Sequence, residues 1–139
     1  MIGFIGGGNM AEAMIKGITL SGKNDIMVSE LRAERRAYLE STYSVKATHD
    51  NKEVVKNCDI IILAVKPQNM DDVTGEIAGL ITPEKLIISI AAGITLSYLS
   101  ARLKTSQIIR VMPNTPALVQ EGMSVLSLCE CFEDKQMAL

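Results

Sequence analysis

The sequence predicts an α/β protein built on an open, doubly wound, mostly parallel sheet with helices on both faces. Three observations carry that reading. Short apolar runs alternate regularly with longer segments of helical period, and that alternation implies strands joined by helical crossovers. The most apolar run, Ile60 to Val65, is six residues rich in β-branched types, as a strand buried on both faces requires. A glycine cluster directly follows the first apolar run and opens the first helical segment.

Taken in order, Ile2 to Ile5 is the first strand, and Asn9 to Thr19 is a helix with Ala11, Met14 and Ile18 at compatible spacing. Asp25 to Ser29 is the second strand, followed by a charged helix from Arg32 to Glu40. A brief strand at Val45 to Ala47 leads into a short helix from Asn51 to Lys56. Ile60 to Val65 is the central strand, ended by Pro67. A helix from Asp71 to Leu80 stops near Pro83, and Leu86 to Ile90 is a further buried strand. Leu96, Leu99 and Leu103 mark one face of the next helix. Ile108 to Met112 and Met123 to Leu128 supply the last strands, separated by a proline-containing loop. Parallel strands need long connections, and those connections are right-handed.

Composition narrows the class of function. The 139 residues fit one ordinary domain, with 47% apolar and 22% charged side chains. Sixteen acidic against 14 basic residues leave a net charge of −2, which offers no field for nucleic acid and no polybasic membrane anchor. No apolar run approaches the ~20 residues of a membrane span, and the start MIGFIGGG does not have the pattern of a secretory signal. The three cysteines, Cys58, Cys129 and Cys131, form no CxxC pair, and the single histidine, His49, is far from them in sequence. Reduced thiols of a cytoplasmic protein, with no metal site, are the expectation.

The residues that carry chemistry begin with Gly6-Gly7-Gly8-Asn9-Met10-Ala11, of the form G-x-G-x-x-A. Alone the pattern is weak, but between a strand and a helix it is the signature of dinucleotide binding. Gly6 makes the tight turn, Gly8 leaves room for a pyrophosphate, and Ala11 permits close packing of helix on sheet. The helix start offers free N–H groups and the positive dipole end to the phosphates.

The end of the second strand is expected to choose between cofactors. Glu30 stands where NAD-binding proteins keep an acid for the ribose hydroxyls, whereas Ser29 and Arg32 suit the 2′-phosphate of NADP. Arg35 and Arg36 follow on the same helix, where a solvated face is the plain alternative. NADP(H) is favoured, with NAD(H) possible. Three further strand ends belong on the same edge of such a sheet: Ala64-Val65-Lys66-Pro67-Gln68, then Ile90-Ala91-Ala92-Gly93, then Met112-Pro113-Asn114-Thr115-Pro116.

Together these segments resemble the pyrroline-5-carboxylate reductases. The resemblance runs from Ile2 to at least Ser124, through IGFIGGGNMAEAMIKG, HDNKEVV, DIIILAVKPQ, ISIAAGI and RVMPNTPALVQEGMS. The last of these is specific to the family, whereas the first also fits β-hydroxyacid dehydrogenases and other Rossmann reductases. The resemblance implies a Rossmann-like domain and NAD(P)H-dependent reduction of 1-pyrroline-5-carboxylate to L-proline, the last step of proline biosynthesis. It implies that Gly6 to Ala11 hold the pyrophosphate, Ser29 with Arg32 meets the adenine ribose or its phosphate, and Asn51 contacts the adenosine side. Ala64, Val65, Lys66 and Pro67 would line the cofactor channel, Ala92 and Gly93 would lie by the nicotinamide, and Asn114 near the ring and the substrate entrance.

Family members continue into a helical dimerisation domain that completes the substrate pocket, and no such segment is seen here. Residues 1–128 are therefore expected to form the NAD(P)-binding domain, and 129–139 the start of a further element towards that second domain. Glu133-Asp134 opens a helical pattern that stops at Leu139 within two turns. No residue of this chain is assigned a catalytic role, and a homodimer or higher oligomer is expected of the complete protein. Two other readings compete: an NADP-dependent reductase like the β-hydroxyacid dehydrogenases, and a non-catalytic NADP-binding module.

Overall fold

The computed structural model describes residues 1–113 and 124–128. Within these residues seven strands form one sheet in the order β3-β2-β1-β4-β5-β6-β7. They are β1 (Ile2–Ile5), β2 (Ile26–Ser29), β3 (Lys46–Thr48), β4 (Ile60–Leu63), β5 (Leu86–Ser89), β6 (Ile108–Pro113) and β7 (Ser124–Leu128). The first six are parallel, and β7 runs antiparallel to β6, with Val111 opposite Leu126. The helices are α1 (Asn9–Leu20), α2 (Ala33–Tyr43), α3 (Asn51–Asn57), α4 (Met70–Ile77) and α5 (Leu96–Leu103).

Alternation along each strand sorts the core into two layers. Ile5, Met27, Ile61, Leu63 and Ile87 point to one face, where Val54, Val55, Met70, Val73, Ile77, Leu99 and Leu103 of α3, α4 and α5 cover them. Phe4, Ile26, Val28 and Ile62 point to the other, against Ala11 and Ile15 of α1 and Leu39 of α2. A period of two in strands and 3.6 in helices is what makes both faces apolar at once. Each fully buried Ile or Leu contributes ~2 kcal/mol. Strand β4, with Ile61 and Leu63 wholly buried, is thus a firm frame for whatever its carboxyl end presents.

Helix α3 approaches β1 so closely that a Cβ on Gly3 would stand 2.8 Å from Cys58 Sγ. Asp50 caps α3 by accepting from the Lys52 N–H at 2.9 Å, and the Thr95 hydroxyl caps α5 by accepting from the Tyr98 N–H at 3.1 Å.

Several expected boundaries shift. β4 ends at Leu63 rather than Val65: the Ala64 N–H still reaches Ile5 O at 2.8 Å, but Pro67 starts a 3₁₀ turn, Pro67–Asn69, so Ala64 and Val65 leave the sheet. Helix α2 begins at Ala33 because Arg32 is its extended N-cap residue, and it runs on to Tyr43. Helix α4 starts at Met70 and gives way at Ala78 to a 3₁₀ turn. β2 starts at Ile26, β3 spans Lys46–Thr48, and β5 ends at Ser89. The segment 129–139 and Asn114 lie outside the described residues.

Candidate functional site: the cleft at the β1/β4 crossover

Successive strands proceed outward from β1 to β3 on one side and from β4 to β6 on the other. The connections on the two sides part between β1 and β4, and a crevice opens there at the carboxyl edge. A cleft of ≈ 640 Å³ occupies that place. Its lining joins the ends of β1 (Gly6, Gly7, Gly8), β2 (Ser29, Glu30, Arg32) and β4 (Ala64, Val65, Lys66).

Gly6 takes φ +100°, and a Cβ there would lie 2.7 Å from the Ala64 carbonyl oxygen. The turn therefore admits only glycine. Gly8 is ordinary extended backbone with φ −74° and ψ −170°, yet no atom of the described residues lies within 4 Å of the place its Cβ would occupy. Among the described residues this place beside the cleft, at the N-cap of α1, is open, and no side chain of theirs caps the helix. The first-turn amides are thus available to an anion.

At the end of β2, the buried Ser29 hydroxyl donates to Asn51 Oδ1 at 2.6 Å, and Asn51 Nδ2 donates to Glu76 Oε2 at 3.1 Å. Glu30 turns its carboxylate to the glycine loop: Oε2 accepts from the Gly7 N–H at 3.1 Å. Its Oε1 accepts from the Arg32 N–H at 3.1 Å and from Arg32 Nε at 3.2 Å. Burial pushes the Glu30 pKa up, but the Arg32 and Gly7 hydrogen bonds outweigh it and hold the carboxyl below its ordinary 4.5. Glu30 is therefore a charged, satisfied group, and Arg32 is its counter-ion, with 69% of the side chain exposed.

The other two arginines have different tasks. Arg35 Nε donates to Gly7 O at 2.6 Å, and its Nη2 donates to Glu12 Oε2 at 2.7 Å. Arg36 Nη1 donates to Glu30 O and Leu31 O at 2.8 and 2.9 Å, tying down the turn before α2. Neither lines the cleft.

Of the residues singled out from sequence, Gly6, Gly7, Gly8, Ser29, Arg32, Asn51, Ala64, Val65 and Lys66 meet in the cleft. Ala11 is buried under α1 against the sheet, and Met10 lies in the first turn of α1. Asn9 is exposed and faces a separate small hollow with Glu12, Lys16 and Tyr43. Pro67 is exposed at the start of its 3₁₀ turn. Ala92 and Gly93 are exposed just past β5, on the same sheet edge but outside the cleft lining. Sequence reasoning missed Asn69, Asp72, Val73 and Glu76, which also line the cleft. Their i, i+3, i+4, i+7 spacing after the central strand was a usable signal.

A glycine-lined cleft at the crossover of a sheet ordered 3-2-1-4-5-6 defines the class: a Rossmann-like dinucleotide-binding domain. The family model described as "NADP oxidoreductase coenzyme F420-dependent" matches residues 1–93. A pyrroline-5-carboxylate reductase of Pasteurella multocida is 46% identical over 129 residues, covering 88% of this chain and 47% of that protein. The solved pyrroline-5-carboxylate reductase of Coxiella burnetii superposes with a TM-score of 0.93 at 32% identity, covering 99% of this chain and 52% of that one. A Plasmodium falciparum pyrroline carboxylate reductase, solved with NADP bound, gives 0.84 at 28% identity, with 99% and 51% covered. The chain belongs to this family of NADP oxidoreductases, and over most of its length it is similar to pyrroline-5-carboxylate reductases. It spans about half the length of the curated relatives it matches.

Proposed function

We propose that this chain forms the cofactor half of an enzyme that reduces 1-pyrroline-5-carboxylate to L-proline with NADPH. The observation that carries the reading is the identity with reductases of that name, spread over 88% of the chain and joined to a cleft of matching design. Bound NADPH supplies the hydride that adds to the C5 carbon of the imine. A protonated imine is already electrophilic, so placement and charge do most of the work and no nucleophilic side chain is needed.

In this reading the Gly8 N–H and the first turn of α1, Asn9 to Ala11, take the pyrophosphate, with Gly6 and Gly7 shaping the approach. Ser29, Arg32 and Asn51 hold the adenine ribose and its 2′-phosphate. Ala64, Val65, Lys66 and Pro67 line the path toward the ring, with Ala92 and Gly93 beyond. Glu30 permits NADH as the lesser cofactor, because a carboxylate at this strand end suits free ribose hydroxyls. The remaining length of the relatives would supply the substrate pocket and a homodimer or higher oligomer. The setting we infer is the cytoplasm, where a thiol such as the buried Cys58 stays reduced.

The test is oxidation of NADPH and NADH by the complete gene product with pyrroline-5-carboxylate, alongside the 139-residue chain. The complete protein should turn over with NADPH preferred, while the 139-residue chain binds NADPH without turnover. A complete protein that binds NADPH yet leaves the imine untouched would move the assignment to another substrate.

A further inference from the structure

We propose that Arg35 is a positioning residue for the phosphate-binding loop, acting through the Gly7 carbonyl and never touching the ligand itself. The proposal rests on the reading of the cleft as a dinucleotide site. Arg35 sits at the start of α2, and its guanidinium bridges two elements. Nε donates to Gly7 O at 2.6 Å and Nη2 to Glu12 Oε2 on α1 at 2.7 Å. Glu12 is itself held: its Oε1 accepts from the hydroxyls of Tyr38 and Tyr43, both at 2.8 Å. The guanidinium carbon lies 5.2 Å from the Tyr38 ring centroid. Arg35 and Glu12 keep only 18% and 20% of their side chains exposed, so these charge-assisted bonds are partly shielded from water.

The consequence follows from peptide geometry. The Gly7 carbonyl and the Gly8 N–H belong to one planar trans peptide, and they point in opposite directions. An arginine that holds the carbonyl on the α2 side turns the Gly8 N–H away from α2. Gly8 lines the cleft with open space beside it. On the other side of Gly7, its N–H is held by Glu30 Oε2 at 3.1 Å. Three successive glycines would otherwise be the loosest backbone in the fold. Fixing one peptide in advance spares the ligand that ordering.

The experiment measures affinities of the 139-residue chain and its Arg35→Met and Arg35→Lys variants for three probes, with a thermal melt of each protein. The probes are NADPH, NADH and adenosine 2′-monophosphate, which has no pyrophosphate. Arg35→Met should weaken NADPH and NADH alike, by about tenfold, and leave adenosine 2′-monophosphate unchanged. Arg35→Lys should recover part of the loss, because an ammonium reaches one of the two acceptors but lacks the fork that bridges both. If Arg35→Met does not fold, the same probe pattern at smaller size in Arg35→Lys decides the matter.

Loss of NADPH and adenosine 2′-monophosphate with NADH intact would overturn the proposal by making Arg35 a 2′-phosphate ligand. Parallel loss of all three probes with a collapsed melt would reduce Arg35 to a structural residue. Unchanged affinities would show that the loop needs no clamp. A wild-type chain that binds neither dinucleotide would overturn the cofactor reading, and this proposal with it.

Discussion

Gly6 and Gly8 are two residues apart in one loop, yet they should fail in opposite ways when each is replaced by alanine. At Gly6 the backbone has φ +100°, and a methyl would meet the Ala64 carbonyl oxygen at 2.7 Å and its carbon at 2.9 Å. Both atoms are backbone at the end of the central strand and have little freedom to give. The conformational strain is about 1–3 kcal/mol, and overpacking against a fixed neighbour adds about as much again. A loss of ~3 kcal/mol lowers the Tm of a domain this size by roughly 10 °C.

At Gly8, φ is −74° and no atom of the described residues lies within 4 Å of the new methyl. Two small effects oppose each other there: the unfolded chain loses freedom, which stabilises by ~0.4–1 kcal/mol, and alanine is the poorer N-cap by a similar amount. The Gly8→Ala melt should lie within ~2 °C of wild type. Its methyl, however, stands where the pyrophosphate of the proposed cofactor would approach the backbone. NADPH should bind about 10–100-fold more weakly, or ~1.4–2.8 kcal/mol. Circular-dichroism melts and titration calorimetry on the two variants read both quantities. The reasoning is refuted if Gly8→Ala binds NADPH like wild type, or if Gly6→Ala melts like wild type.

Two further variants test the end of β2. Arg32→Ala removes an exposed guanidinium that, among the described residues, is held by Glu30. Fluorescence titration should show NADPH weakened severalfold with NADH little changed, and equal losses would show that Arg32 gives no 2′-phosphate selectivity. Glu30→Gln tests linkage: a carboxyl held below 4.5 in the folded chain stabilises it above the ordinary carboxylate range, and that stability is lost as pH falls through the depressed value. The wild-type advantage over Glu30→Gln in urea melts should therefore be full at neutral pH and close below pH ~4; a difference independent of pH would contradict it.

Much of the frame was legible because its signals are local. The apolar run at Ile60 to Val65 had to be buried on both faces, and it became the strand beside β1. Gly6, Gly8 and Ala11 sit where strand gives way to helix, and each position has a different steric reason. What could not be read was tertiary. Nothing around Gly3 announces that α3 will press on it. Arg32, Arg35 and Arg36 are alike in sequence, yet one pairs with Glu30, one bridges Gly7 to Glu12, and one ties the turn carbonyls. The sequence sets Glu30 against Arg32 in the choice of cofactor, whereas in the fold the two pair, and the loop amide also engages the carboxylate.

The charges of the cleft bear on how a phosphate would be held there in the proposed reading. Glu30, Asp72 and Glu76 line it against Arg32 and Lys66, so side-chain charge alone does not favour a polyanion. Arg32 is partly spent on Glu30, leaving Lys66, exposed at the β4 end, as the less committed cation. In the proposed reading the attraction comes from oriented backbone, the Gly8 N–H and the first turn of α1, whose partial charges are fixed at short range. Such a site depends on how accurately its peptides are aimed more than on how many cations surround it. This explains why two buried-edge side chains, Glu30 and Arg35, are both committed to a single glycine, Gly7, one on its N–H and one on its carbonyl. A loop that recognises by backbone needs its neighbours' side chains to hold the backbone still.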